Sequence, residues 1–315
     1  MKYRKLGQTG LKVSEISFGS WMTYGHTVGQ DTGAKLIDRA FELGINFIDT
    51  ANVYERGEAE RMLGEVLPRY PRESYVLATK AFWPMGDGPN DRGLSRKHVH
   101  EQLNASLKRL NQDYVDIFYC HRYDPDTRLE ETLRTIEDFV RQGKVLYVGV
   151  SEWTGAQIQE ALQVADKYLL DRIVVNQPQY NMFYRNIESD VLPVSEKNGL
   201  SQVVFSPLAQ GALTGKYRLG QALPADSRAA DPKTNMWIKG FLTEAHLQKV
   251  ERLDAVAKEL DLSLSTLAIA WILRHESVAS ALVGATKTSQ LEENVKASGV
   301  SLSQETIDRI EEILS

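Results

Sequence analysis

Residues 115–151 read VDIFYCHRYDPDTRLEETLRTIEDFVRQGKVLYVGVS. Two short apolar runs, VDIFYCH (115–121) and VLYVGVS (145–151), bracket a charged segment with helical spacing at 130–142. Both runs are rich in β-branched and aromatic residues and nearly continuous, as strands covered on both faces should be. The stretch therefore reads as strand, helix, strand, and a helical crossover joins parallel neighbours. The same unit recurs in both directions. The other runs are ISFGSW (16–21), INFIDT (45–50), YVLATK (75–80), IVVNQPQ (173–179), QVVFSP (202–207) and SALVGA (280–285). Between them, TGAKLIDRAFEL (32–43) places Leu36, Ile37, Ala40 and Phe41 on one face and stops at Gly44. Segments 96–110 and 154–165 behave alike. Two more helices, 246–260 and 263–274, precede the last run. A final helix at 303–314 would pack outside or cover one end. Repeated βα units of this kind fit a closed barrel or an open doubly wound sheet, and the alternation alone leaves both open.

A length of 315 residues suggests two domains or one large one. Barrels of about 250 residues stand as one domain, and no Pro-, Gly- or Ser-rich linker divides the repeats, so the expectation is a single domain over 1–315. The surplus has places to go. YRKLGQTG followed by LKVSEIS looks like a hairpin ahead of the first barrel strand. Residues 210–240 carry Gly, Pro and charge with little periodicity, and such loops inside a compact fold are usually functional.

Charge and composition narrow the function. The net charge is -5 and no Lys/Arg run supplies a nucleic-acid footprint. No apolar run approaches the roughly 20 residues of a membrane span, so no membrane insertion is expected. The N-terminus lacks the apolar centre of a secretory signal. A single cysteine, Cys120, excludes an internal disulfide framework and suits a cytoplasmic location. The six histidines show no zinc-ligand spacing, so no metal is expected. Several residues read most simply as structure. Cys120 and Trp271 would be core, and His98 and His100 would face water. Trp21, Tyr24, Trp83 and Trp153 would be either packing or pocket wall.

The ends of the runs are polar: Asp49, Lys80, His121, Ser151, Asn176 with Gln177, and Ser206. In a barrel these ends form the active-site rim. A carboxylate, an ammonium and an imidazole converging there would be expensive without a role. Tyr54, just past Asp49, completes a proton-transfer set. Free tyrosine has a pKa near 10. A neighbouring Lys80 ammonium is expected to lower it, while Asp49 holds the lysine charged. His121 would donate a hydrogen bond to a substrate oxygen. Nothing in this set carries a hydride, so a cofactor must.

These residues sit in longer motifs: YRKLGQTGLKVSEISFGSW, FIDTANVY with GEAERMLG, ATK, GLSRKHVHEQLNASLKRLNQDYVDIFYCHRYDP, GKVLYVGVSEW, FSPLAQGALTGKY, LAIAWILRH and VGATKTSQLEEN. The chain thereby resembles the aldo-keto reductase superfamily, and within it the potassium-channel β-subunit-like branch, over nearly its whole length. The resemblance implies an α/β (β/α)8 TIM barrel with an N-terminal hairpin and extra helices. It implies NADPH/NADP+ as cofactor, a small-molecule carbonyl substrate, and a catalytic tetrad of Asp49, Tyr54, Lys80 and His121. For the cofactor it implies Asp49 among the binding residues, Ser151 and Gln177 at the nicotinamide carboxamide, Phe205 stacked on its ring, and Ser20 and Trp21 beside its ribose. Ser206, Pro207, Leu208 and Gly211 would meet the pyrophosphate, and Lys216 and Arg228 would clamp phosphates from within the loop at about 210–240. Gly284, Thr286, Gln290, Glu293 and Asn294 would take the adenosine end, with Lys287 a candidate for the 2′-phosphate.

Glu152 departs from the pattern, because relatives carry Asn or Arg there. The branch also implies a homo-oligomer, a tetramer or larger. An alternative function is an NADP(H)-binding regulatory subunit of a potassium channel. The start of the chain close to the barrel and His121, where such subunits typically carry Asn, weigh against it. A Schiff-base aldolase using Lys80 would leave Tyr54 unexplained.

Overall fold

The computed structural model describes residues 1–21 and 28–315. Eight parallel strands close into a barrel: β3 (Ile16–Gly19), β4 (Phe47–Asp49), β5 (Val76–Ala81), β6 (Val115–Cys120), β7 (Val145–Ser151), β8 (Ile173–Gln177), β9 (Ser201–Phe205) and β10 (Val278–Val283), with β10 pairing back to β3. The open doubly wound alternative is thereby excluded. An antiparallel pair, β1 (Tyr3–Lys5) and β2 (Lys12–Ser14), precedes the barrel as the expected hairpin. Its Leu6 and Val13 are buried against the lower barrel interior, among Phe47, Val76 and Ile117. Arg4 fixes it there, ion-pairing with Glu15 and donating to the carbonyls of Leu273, His275 and Val278.

The surrounding helices are α1 (Gln30–Glu42), α2 (Glu58–Val66), α3 (Arg96–Leu110), α4 (Leu129–Arg141), α5 (Gly155–Tyr168), α6 (Val191–Asn198), α7 (Glu244–Glu259), α8 (Leu264–Leu273), α9 (Thr288–Asn294) and α10 (Gln304–Leu314). Several starts differ from the periodicity by a residue or more because the first polar residue is a cap. Thr154, Ser263 and Ser303 stand just outside α5, α8 and α10 and accept the backbone N–H three residues on. Thr243 does the same for α7, which starts ahead of its first apolar residues. α2 and α6 are short and fall where no helical segment was expected. α10 packs outside the barrel, with Arg309 pairing to Glu259 at the end of α7.

Strand parity decides what points inward. Phe47, Ala78, Tyr119 and Val175 lie in the interior cluster, and two residues further along their strands come Asp49, Lys80, His121 and Gln177. Apolar layers thus fill the barrel up to a polar top layer. Tyr119 is the bulkiest of the interior side chains, and Gly149 on the adjacent β7 makes its room. A Cβ there would stand 2.5 Å from Tyr119 ring carbons and 2.8 Å from Val175 Cγ1. Cys120 and Trp271 are buried as expected. His98 corrects an expectation, since it is fully buried rather than facing water. It lies on the inward face of α3 with Val99 and Leu103, and burial holds its pKa below the usual histidine range. Tyr24 lies outside the described residues. No helix among the described residues is long and apolar enough to cross a membrane.

The tight fit at Gly149 predicts that Gly149→Ala destabilises the fold by about 1–3 kcal/mol. Chemical denaturation reads this as a lowered midpoint; an unchanged midpoint would mean that Tyr119 is free to move aside.

Candidate active site

Lys80 stands at the centre of the top layer, fully buried. Its Nζ donates to Asp49 Oδ1, to the Thr50 carbonyl at 2.9 Å and to Tyr54 Oη at 3.2 Å. An ammonium has three N–H donors, and all three are used. The second Asp49 oxygen accepts from Gln177 Nε2 at 2.8 Å, and Ser151 Oγ donates to the Gln177 carbonyl at 2.9 Å. Ser20, also buried, donates its backbone N–H to the Asp49 carbonyl and its hydroxyl to Thr50 Oγ1. Ladder bonds continue past the strand ends, from Asn52 N–H to the Lys80 carbonyl and from His121 N–H to Ala81. The reactive side chains thus hang on rigid backbone. His121 meets Tyr54 edge to face, with ring centroids 5.8 Å apart.

Tyr54 itself opens a strained turn. Glu55 (φ 46°) and Arg56 (φ 53°) both lie in the left-handed region before α2 begins at Glu58. Non-glycine residues there cost of order 1–3 kcal/mol each and need surrounding structure to hold them. Glu60 supplies it. This fully buried carboxylate accepts from Thr79 Oγ1 on β5 at 2.5 Å and ion-pairs with Arg109 on α3 at 2.6 Å. Thr79 is the residue next to Lys80, so Glu60 ties the helix behind Tyr54 to the strand carrying the lysine. In the sequence, Glu60 is one of three glutamates in GEAERMLGEV; only its burial separates it from a solvated helix face.

Electrostatics follow from the geometry. Burial alone would lower the Lys80 pKa, but the Asp49 carboxylate and Tyr54 outweigh it and hold the ammonium above its ordinary value. Burial likewise pushes the Tyr54 phenol up, and Lys80 pulls back without reversing the shift. This corrects the expected lowering: desolvation of a phenolate at this depth exceeds the stabilisation one ammonium provides. Tyr54 is therefore a protonated phenol at neutral pH. Because its oxygen already accepts from Lys80, its own proton is left to point elsewhere. Burial, then Lys80 and Arg122, hold His121 well below the histidine range. Its imidazole is neutral, and its buried Nδ1 has no partner among the described residues.

The residues expected to meet a cofactor fall into two groups. Ser20, Asp49, Ser151 and Gln177 adjoin the lysine, with Phe205 ending β9 nearby in the barrel rim. Ser206, Pro207, Leu208 and Gly211 follow β9 in a loop where Ala209, Gln210 and Gly211 have φ of 48°, 60° and 104°. Gln210 bridges Ser206 Oγ and the Arg228 guanidinium. A Cβ on Gly211 would stand 3.7 Å from Lys216 Cε. Arg228 is half-buried, which pushes its pKa below the guanidinium range. The segment is strapped to the loop after β10 by Asp226 and Lys287, 3.2 Å apart. Trp237 closes edge to face on Trp21 at 5.4 Å.

Beyond β10, Gly284, Thr286 and Gln290 are exposed, and Gln290 Oε1 accepts from the Thr286 and Lys287 N–H groups. Asn294 is buried. Glu293 turns away to Thr266 Oγ1 at 3.1 Å and Lys296 at 2.6 Å. Asn176 also stands apart, bonding to Gln202 between β8 and β9. Glu152 (φ 60°) accepts the Gln179 N–H at 2.5 Å and so braces the end of β8. Trp153 is packing, buried against Tyr123, whereas Trp83 is partly exposed and faces His121 at 6.3 Å. Arg122, absent from the sequence-based candidates, lies with its guanidinium 5.4 Å from the Trp83 ring.

Comparison with known proteins places the chain in a family. The model of the Aldo/keto reductase family matches residues 15–315. A protein of Oryza sativa subsp. japonica, named probable voltage-gated potassium channel subunit beta, is 43% identical over 319 residues, covering 100% of this chain and 97% of that protein. One of Arabidopsis thaliana with the same name gives the same identity and coverage. A putative subunit of this kind from Schizosaccharomyces pombe is 40% identical over 325 residues, covering 99% and 93% respectively.

The depressed His121 pKa has a sign for stability. Unfolded histidine titrates near 6.5. Below that pH the unfolded chain binds a proton that folded His121 refuses, so this contribution is present above about 6.5 and is lost as pH falls. Between pH 6.5 and the folded pKa, wild-type stability should fall more steeply than that of His121→Asn, by up to about 1.4 kcal/mol per pH unit. Parallel curves in urea titrations would show that His121 protonates freely in the native state.

Proposed function

The chain belongs to the aldo/keto reductase family and is an oxidoreductase of that type; we propose that it reduces aldehydes or ketones to alcohols with NADPH, using Tyr54 as general acid. One observation carries the reading: Lys80 Nζ donates to Tyr54 Oη while fully committed to Asp49 and Thr50. That arrangement leaves the tyrosine with a proton to give. A neutral His121 on the adjacent strand supplies a second donor toward the same carbonyl oxygen. As the oxygen gains negative charge, Tyr54 transfers its proton, and the buried Lys80 ammonium stabilises the phenolate left behind. Asp49 keeps Lys80 charged through that change, and Gln177 holds Asp49 in place.

The residues present fit a dinucleotide phosphate cofactor. Arg228 has no carboxylate partner among the described residues, Lys216 faces the cradle at Gly211, and the loop there is held in shape by the Ala209 and Gly211 N–H groups bonding back to Ser206 and Leu208. Lys216, Arg228 and the 206–211 backbone would hold the phosphates. Ser151 and Gln177 would hold the carboxamide beside Phe205, with Ser20 and Trp21 at the ribose. The cofactor supplies the hydride when bound. The aldolase alternative gains no support, because Lys80 is locked as a charged donor and an imine-forming lysine must be a free neutral amine.

The names of the relatives favour a second role in parallel: association with a voltage-gated potassium channel.

With NADPH and an aromatic aldehyde, absorbance at the cofactor band should fall steadily, and faster than with NADH. Tyr54→Phe should slow that turnover by about 10²–10⁴-fold, with NADPH still quenching protein fluorescence. Turnover near the wild-type rate in Tyr54→Phe would remove it from the role of acid.

A further inference from the structure

A half-buried guanidinium without a carboxylate is costly, and proteins seldom keep one without a use. Apart from Arg122 and Arg228, every half-buried arginine among the described residues ion-pairs with an Asp or Glu. Arg228 faces the segment assigned above to phosphates. Arg122 faces the substrate side of the tetrad. Its single hydrogen bond to a described residue is from one terminal nitrogen to the His121 carbonyl, at 2.6 Å. No other described residue accepts from the fork. The guanidinium lies 5.4 Å from the Trp83 ring centroid, and that ring meets His121 edge to face at 6.3 Å. A cation, an aromatic wall and the two proton donors thus lie in sequence along one side of the rim. Behind larger influences from burial and Lys80, the Arg122 charge is felt by both Tyr54 and His121.

We propose that Arg122 is a specificity-determining residue that selects carbonyl substrates carrying a carboxylate, with the body of the substrate against Trp83 and its carbonyl at Tyr54 and His121. The planar fork suits a carboxylate, since its free N–H groups form paired charge-assisted bonds. Trp83, partly exposed, offers an edge and face to a flat apolar body. The proposal rests on the reductase reading for the carbonyl end, while the anion end stands on Arg122 and Trp83 alone.

The test compares 4-carboxybenzaldehyde with its methyl ester, which differs in charge while keeping the ring and the aldehyde. Wild type should favour the acid in kcat/KM. In Arg122→Gln the ratio of acid to ester should fall at least tenfold, chiefly through KM for the acid, and Arg122→Lys should keep part of it. A second arm needs no turnover: benzoate should quench tryptophan fluorescence at concentrations at least tenfold below benzamide in wild type, and lose that advantage in Arg122→Gln. Ratios unchanged by Arg122→Gln in both arms would overturn the proposal. Turnover of both aldehydes with no preference for the acid, and no preference for benzoate, would overturn it while leaving the reductase reading intact. A benzoate preference that depends on Arg122, with neither aldehyde reduced, would support the anion site and count against the reductase reading.

Discussion

The ion pair between Lys80 and Asp49, buried at the top of the barrel, is the constraint on which the rest of the site depends. Removing two charges from water is expensive, and their attraction repays it only where the remaining donors and acceptors are also satisfied. Here they are. The ammonium spends its other protons on Thr50 and Tyr54, and the carboxylate takes Gln177 on its second oxygen. Such a pair does little for stability compared with an apolar one. What it provides is a fixed positive charge under a phenol that is itself too buried to ionise readily.

The barrel makes this pair possible by parity. At the ends of β4, β5, β6 and β8, a polar group stands two residues beyond an apolar inward residue, so the charge layer rests on a packed floor instead of water. The hairpin seals the opposite end with Leu6 and Val13. Tyr54 is the one member not on a strand, and the fold holds it by other means: a left-handed turn at Glu55 and Arg56, and the Glu60 carboxylate binding both Thr79 and Arg109. In the proposed reading, two half-buried arginines divide the rim, Arg228 toward the cofactor segment and Arg122 toward the substrate.

Much of this is visible in the sequence. Apolar runs with polar ends announced Asp49, Lys80 and His121, because a strand buried on both faces has no other reason to end in charge. The eight runs fit both a barrel and an open sheet, since closure depends on long-range pairing between β10 and β3 that no local pattern records. Helix starts shifted wherever a cap preceded the periodic residues. His98, Glu60 and Arg122 were illegible for a common reason: what distinguishes them is burial and partnership, and their neighbours in sequence are ordinary helix or loop residues. The direction of the Tyr54 shift is not legible in the sequence, because residue identity reveals the neighbouring lysine but not the depth of burial that outweighs it.

The claim that burial, opposed by Lys80, sets the protonation of Tyr54 is tested most directly by titrating tyrosines labelled with ¹³C at the ring carbon bearing the hydroxyl. Resonances are assigned by comparison with Tyr54→Phe. Tyr54 should remain a phenol beyond the free-tyrosine value near 10, and in Lys80→Met its ionisation should move higher still. Ionisation of Tyr54 below that value in the wild type, or a midpoint unmoved by Lys80→Met, would contradict the account.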